Sequence, residues 1–335
     1  MILYLRPLII SAHMRSIFVS IIVCLISINA FAATKRTLFF SPHPDDEGVG
    51  LSTEIWRATH SSAKEKIEYQ IVVMTCGDAY IEAMDLWTKS GKAKDLNNDG
   101  KIDYVDLGFA RHQETLDALK VLGVPPEKVI FLGYPDGGLK DMTHNPGIYE
   151  SMRTHVKAVP YPFAFRPGAP YTNESVRADL KSVITSFNPD VVYTPTPTDM
   201  HPDHFETSEL VSQTLAQLGR KPKHLEYINH WEGKEKGWPF PTLEWKQLDG
   251  HIPADIKISL ASVGLTRDVK LEALRQYTTQ RILDPVYFDG FAKNQELFWN
   301  ARPKISDYLL SHENSVDHLM QNTVIGRDPK LLNKK

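Results

Sequence analysis

Ser41-Pro42-His43-Pro44-Asp45-Asp46-Glu47 places one imidazole and three carboxylates within five residues, directly after the apolar run Thr37-Leu38-Phe39-Phe40. Carboxylates so crowded repel one another, and a cation beside them turns the repulsion into binding and sets their protonation states. The cluster reads as half of a metal site. A second dense segment, Thr198-Asp199-Met200-His201-Pro202-Asp203-His204, follows another apolar run and opens a helical pattern at Phe205. Its two imidazoles can point into one crevice, and the positive end of the helix dipole disfavours a protonated ring, which helps keep His204 neutral and able to coordinate. His43, Asp46 and His204 together offer two nitrogens and one carboxylate, a set that suits zinc and leaves a fourth position for water. An open position points to hydrolysis rather than to a structural role. Zinc lowers the pKa of its water to about 7, and Asp45, beside a ligand without needing to be one, is placed to take the proton. A protonated His201 would stabilise an oxyanion and pass a proton to a departing amine, with Asp203 holding the imidazolium.

A second metal loop is written in Asp95-Leu96-Asn97-Asn98-Asp99-Gly100-Lys101-Ile102-Asp103-Tyr104-Val105-Asp106. Oxygen donors fall at loop positions 1, 3, 5, 9 and 12 (Asp95, Asn97, Asp99, Asp103, Asp106). The Lys101 carbonyl stands at 7, Gly100 at the sharp turn and Ile102 at the apolar position. The loop resembles dockerin and EF-hand-like calcium loops. Asp106 is shorter than the usual Glu and less suited to binding through both oxygens.

These clusters need elements to hold them. Strand-like runs at Thr37–Phe40, Tyr69–Thr75, Lys128–Phe131 and Asp190–Thr194 alternate with helix-like patterns at Gly48–Ser61, His112–Val121, Ser175–Ser186 and Phe205–Leu218. This is the βαβ rhythm of an α/β fold, a Rossmann-like, mostly parallel sheet with helices on both faces. Ligands bind such sheets beyond the carboxyl ends of the strands, where both clusters fall. A polar insertion at about 80–110 and a Pro- and aromatic-rich stretch at 141–174 interrupt the rhythm, and connections of this length are usually functional. The region after Trp231 reads as a covering layer, with a polar tail over 321–335.

The chain has 335 residues, 42% hydrophobic and 24% charged, enough to bury a large core. Residues 1–32 carry Arg6 and Arg15, no acidic residue, an apolar stretch from Ile17 to Ile28, and Ala30 and Ala32 at a small-residue cleavage pattern. They read as a secretory signal peptide, with Met14 as an alternative start. The apolar stretch is shorter than the roughly 20 residues of a membrane span, so no stable span is expected after cleavage. Cleavage removes two positive charges from a formal net charge of −3. A mildly acidic chain gives no electrostatic argument for nucleic acid as a partner. Only Cys76 survives cleavage, which excludes an internal disulfide and leaves stability to the core and to metals.

Pro42-His43-Pro44-Asp45-Asp46-Glu47 followed by His201-Pro202-Asp203-His204 resembles the PIG-L (LmbE-like) zinc deacetylases. The likeness continues through Arg111-His112-Gln113-Glu114, Phe131-Leu132-Gly133-Tyr134-Pro135-Asp136 and Asn188-Pro189-Asp190-Val191-Val192. It covers roughly residues 36–220, and one deacetylase domain is expected over 33–320. It also implies His43, Asp46 and His204 as zinc ligands, Asp45 as general base, His201 as acid or oxyanion stabiliser, and Arg111 and Asp136 as sugar-binding residues. The calcium loop departs from the family pattern. It ends shortly before Arg111 and would stiffen the segment that presents it.

The resulting expectation is an exported enzyme, periplasmic or extracellular, that uses Zn2+ to remove acetyl from an N-acetylated amino sugar or glycan and carries a structural Ca2+. Its rivals are a zinc amidase or esterase acting on a non-sugar acyl group, and a calcium-dependent glycan-binding protein with a vestigial zinc centre. The intact set His43, Asp45, Asp46, His201 and His204 argues against decay. The oligomeric state and the particular glycan are not encoded in any motif.

Overall fold

The computed structural model describes residues 34–62, 65–197, 199, 201–230, 259–261, 264–293 and 296–301. Strands β1 (Lys35–Ser41), β2 (Ile67–Thr75), β3 (Val129–Tyr134), β4 (Val191–Pro195), β5 (Lys223–Tyr227), β6 (Ser259–Ala261) and β7 (Glu296–Asn300) form one sheet in the order β3-β2-β1-β4-β5-β7-β6. The first five run parallel, and β7 pairs antiparallel with both β5 and β6. From β1 the chain builds outward through β2 and β3, then returns to the other side of β1 for β4 and β5. The order therefore reverses between β1 and β4, and in open α/β sheets ligands bind beyond the carboxyl ends of the strands at such a switch point.

β1 is the middle of this arrangement because its side chains suit burial on both faces: Leu38, Phe39 and Phe40 are all buried. The expected helix at Gly48–Ser61 is broken at Leu51 into α1 (Asp46–Gly50) and α2 (Ser52–Thr59). α3 (Ile81–Lys89) fills the front of the polar insertion. α4 (Tyr104–Val121) starts well ahead of the expected His112. Asp103 accepts from the Val105 N–H and Asp106 returns a bond to the Asp103 N–H, a capping box that fixes the start. α5 (Leu139–His144) precedes the aromatic stretch, whose Val159, Tyr161 and Tyr171 enter the main core. α6 (Asn173–Phe187) and α7 (Pro202–Gln217) cover the sheet close to the expected positions.

Three short helices, α8 (Arg267–Leu274), α9 (Thr278–Arg281) and α10 (Pro285–Asp289), build a second apolar cluster with Val49 and Ala118, in which Leu274, Tyr277 and Phe288 are buried. A buried tie reinforces it: Lys270 Nζ donates to the Val49 carbonyl and to Glu296, whose other oxygen accepts from the Thr53 N–H and hydroxyl. Among the described residues no helix is long and apolar enough to cross a membrane. The signal peptide expected at 1–32, the tail at 321–335 and the Trp238–Trp245 stretch lie outside the described residues. Cys76 is buried and free.

Candidate metal centre and active site

The chain leaves β1 at Ser41 and turns sharply before α1, so that His43 and Asp46 face each other across one turn. The Asp46 Oδ2 accepts the His43 backbone N–H at 2.9 Å, and it lies 3.1 Å from His43 Nδ1 and 3.0 Å from His204 Nε2. Asp46 Oδ1 accepts from the Asn229 amide at 2.8 Å. His204 reaches this point from the first turn of α7, at the end of the loop after β4, and is fully buried.

The outer nitrogens meet carboxylates. His43 Nε2 lies 3.1 Å from Asp203 Oδ2 and 3.2 Å from Asp136 Oδ1, and His204 Nδ1 lies 3.2 Å from Asp199 Oδ2. Carboxylates behind coordinating imidazoles fix their orientation and raise their basicity. Neither ring nitrogen of His204 has a hydrogen-bond partner of acceptable geometry, although both are buried. Both inner nitrogens lie within 3.1 Å of the one Asp46 oxygen, and two imidazoles and a carboxylate, with an orphaned ring among them, are donors that suit a divalent cation.

The surrounding carboxylates outweigh the helix dipole expected to keep His204 neutral. Burial works against the Asp46 charge, but His204 and His43 hold its carboxyl well below the usual range. Burial likewise opposes charge on His204, and Asp199 and Asp46 override it, pushing the imidazole up to about 10. A cation replaces such protons, because metal ligands must be deprotonated.

Asp45 has φ 122°, a left-handed-side conformation that is costly for a residue with a side chain. Such strain collects at functional sites and persists only where the surroundings impose it. Burial, and then the Asp46 and Glu47 charges, push its carboxyl up to about 8 against the opposing pull of Arg111. Arg111 Nη2 donates to the Pro44 carbonyl at 2.6 Å and approaches Asp45 Oδ2 at 3.3 Å, while Nη1 donates to the Gly77 carbonyl at 2.8 Å.

Arg111 and Asp136, offered by sequence to a sugar, are therefore both turned inward, Arg111 onto the Asp45 turn and Asp136 onto His43. The expected contact between the Asp203 carboxylate and His201 is not made. Asp203 stands in the first turn of α7, and its carboxylate accepts from the N–H groups of Gly137 at 2.7 Å and Leu139 at 3.2 Å besides meeting His43. Its backbone N–H donates to His201 Nδ1 at 3.2 Å, which leaves the His201 ring proton on Nε2. His201 packs edge-on against His43, with ring centroids 4.4 Å apart.

Three groups of potential ligand atoms converge among the described residues: His43, His201 and His204; Asp199, His204 and His230; and His43, Asp136 and Asp203. The carboxylates of Asp95, Asp99, Asp103 and Asp106 form no such group. They accept backbone N–H bonds inside their own loop: Asp106 Oδ1 from Leu96 and Asn97, Asp95 from Asp99 and Gly100.

Asp199, to which the sequence assigns no role within its segment, joins Asn229 and His230 beside the site. Asp199 Oδ1 lies 3.1 Å from His230 Nδ1 and Oδ2 accepts from the Asn229 and His230 N–H groups. The signal for Asn229 and His230 is their place directly after Tyr227-Ile228, at the carboxyl end of β5, and for Asp199 its place within the 198–204 segment.

No curated protein sequence matches the chain. Solved structures similar to it include a zinc-inhibited form of teicoplanin deacetylase, at 17% identity over 79% of this chain and 97% of that one, with a TM-score of 0.49. The N,N'-diacetylchitobiose deacetylase of Pyrococcus horikoshii is 20% identical over 79% of each chain, at a TM-score of 0.42. A 4-carboxy-2-hydroxymuconate hydratase of Pseudomonas putida is 16% identical over 81% of this chain and 98% of that one, at 0.46. Residues 38–215 match the family described as PIG-L, GlcNAc-PI de-N-acetylase. That stretch starts in β1 ahead of His43, ends in α7 beyond His204 and spans more than half the sequence, so both halves of the candidate site fall within it and the chain belongs to the PIG-L family.

Proposed function

We propose that the protein is a zinc-dependent deacetylase that hydrolyses the acetamide of an N-acetylglucosamine-type amino sugar or glycoconjugate. The observation that carries this reading is the approach of His43 Nδ1 and His204 Nε2 to the one oxygen Asp46 Oδ2, at 3.1 and 3.0 Å, with carboxylates behind both imidazoles. When bound there, zinc supplies a Lewis acid and a water acidic enough to lose its proton near neutral pH.

The residues divide the remaining work. Asp45 accepts the water proton, and Arg111 and the strained turn hold it at the edge of the centre. The Nε2–H of His201, fixed by the bond at Nδ1, donates to the oxyanion as the acetamide carbonyl becomes tetrahedral. Asp203 and Asp136 hold the His43 ring, and Asp199 and Asn229 hold His204 and Asp46. Proton return to the departing amine completes hydrolysis. Arg111 and Asp136 act in this reading by orienting Asp45 and His43, with sugar contact left to the rim.

The reading includes export by a signal peptide at 1–32, a single deacetylase domain over 33–320, and a calcium ion held by Asp95, Asn97, Asp99, Lys101, Asp103 and Asp106. Positive φ at Asn98 (61°) and Gly100 (87°) supports a tightly wound loop, and Asp103 and Asp106 lead directly into α4, which carries Arg111. Metal analysis of the purified protein, coupled to acetate release from N-acetylglucosamine and its oligomers, tests the proposal. About one zinc per chain and acetate release are expected. Turnover of esters or acyl amino acids in place of the saccharides would overturn the sugar assignment, and a metal-free chain would overturn the mechanism.

A further inference from the structure

We infer that Tyr277 is a positioning residue for Asp45, acting through Glu47; this rests on the reading of Asp45 as the proton acceptor. Tyr277 lies beyond the stretch that matches the PIG-L family, in the turn between α8 and α9. Its side chain is fully buried, and its hydroxyl donates to Glu47 Oε1 at 2.8 Å. The other Glu47 oxygen accepts from the Ser41 hydroxyl at 2.7 Å. Both Glu47 oxygens in turn face the Asp45 backbone N–H, at 3.4 and 3.3 Å. Glu47 is thus a carboxylate clamped at two ends, and what it holds is the amide of the residue with φ 122°.

The ring completes the clamp. A Cβ added at Gly48 would stand 2.6 Å from the Tyr277 ring, so glycine is what lets the aromatic lie directly on α1. The next two residues grip the other support of Asp45. Glu114, one turn along α4 from Arg111, accepts from the hydroxyls of Thr278 at 2.5 Å and Thr279 at 2.7 Å and from the Thr279 N–H at 2.9 Å. Three consecutive residues therefore pin both α1, which follows Asp45, and α4, whose Arg111 meets its carboxylate. A left-handed non-glycine conformation is strained and needs such over-determination to persist. Without the hydroxyl, Glu47 loses one of its anchors and the Asp45 turn can relax.

Tyr277→Phe tests this, because it removes only the hydroxyl and keeps the packing on Gly48. With diacetylchitobiose as the probe substrate, kcat is expected to fall on the order of tenfold, with KM within about twofold of wild type and zinc content unchanged. Hydrogen exchange of a peptide covering 42–50 is expected to quicken while one covering β1 does not. Glu47→Gln, which weakens the same link from its other end, should reproduce the pattern and serves if the phenylalanine variant fails to fold. In an Asp45→Asn background Tyr277→Phe should add no further loss. Unchanged kcat and exchange in both variants, or an equal further fall in the Asp45→Asn background, would overturn the inference. Wild-type turnover of Asp45→Asn would instead overturn the reading of Asp45, and the exchange measurement would still decide whether Tyr277 holds the turn.

Discussion

His204 Nε2 stands 3.0 Å from Asp46 Oδ2 without the geometry of a hydrogen bond, and the two residues come from opposite sides of the sheet's switch point. In the proposed centre both groups would serve a third partner, the zinc. His204→Ala removes one of the three proposed ligands, and it is expected to leave less than about a tenth of the zinc after dialysis. Asp199→Asn keeps the ligand and removes the charge behind it, and should weaken zinc binding about 10- to 100-fold with the fold intact. Competition with a chromophoric chelator measures both; equal zinc affinity in all three proteins would remove the centre from this position.

Asp45 differs from Asp46 in pointing at Arg111 rather than at an imidazole. Asp45→Asn preserves size and polarity but cannot accept a proton. We expect full zinc content and a fall in kcat of about 10²- to 10⁴-fold, the range of general-base contributions. Loss of zinc along with activity would make Asp45 a ligand. Arg111→Lys should also lower kcat, since an ammonium cannot reach Pro44, Gly77 and Asp45 together.

The strands that carry the site were legible because they are continuous apolar runs followed by charge: β1, β2 and β4 lie where hydrophobic periodicity places them. β5 was not, since Lys223-His224-Leu225-Glu226-Tyr227 reads as polar while its acids and imidazole are satisfied internally, Glu226 by the Trp299 indole and His224 by Thr194. The antiparallel β7 and the helices after Arg267 were hidden for a different reason. Their residues acquire meaning only by long-range contacts, as Glu296 does with Thr53 and Lys270. Spacing brought His43, Asp46 and His204 together on paper, but it could not show which imidazole Asp203 would meet, because that depends on how the Gly137–Leu139 turn comes down on α7.

Two histidines away from the metal centre give a pH signature. His112 stacks on Phe163 with ring centroids 3.7 Å apart, and His224 is enclosed beside Thr194; burial pushes each down to about 4. An unfolded chain binds these protons near pH 6.5, so between about 6.5 and 4 the unfolded state holds more protons and stability falls as pH falls. At pH 5 the loss is on the order of 1–2 kcal/mol per residue. Thermal melts from pH 7.5 to 5 should show it. The double variant His112→Phe, His224→Gln should melt with a visibly shallower pH dependence, and a parallel dependence would mean that other groups carry the acid sensitivity.

Calcium should act on the fold before it acts on the reaction. The loop Asp95–Asp106 ends in the capping box of α4, and Arg111 lies two turns further along that helix. An ion that ties Asp95, Asp99, Asp103 and Asp106 to one point removes their mutual repulsion and stiffens the helix start. Binding to the native state alone stabilises by about 2.7 kcal/mol at a hundredfold excess over Kd, which corresponds to a rise in Tm of roughly 5 °C for a domain of this size. Millimolar calcium added to zinc-loaded, calcium-depleted protein should produce that rise, and magnesium should not, because it demands a tighter octahedral shell. Asp95→Ala combined with Asp99→Ala should abolish the shift while leaving zinc content unchanged. Turnover should rise with calcium only to the extent that Arg111 holds Asp45 more firmly, so kcat and not KM is the quantity to follow. Identical melting and turnover with and without calcium would make the loop an ordinary turn held by its own backbone bonds.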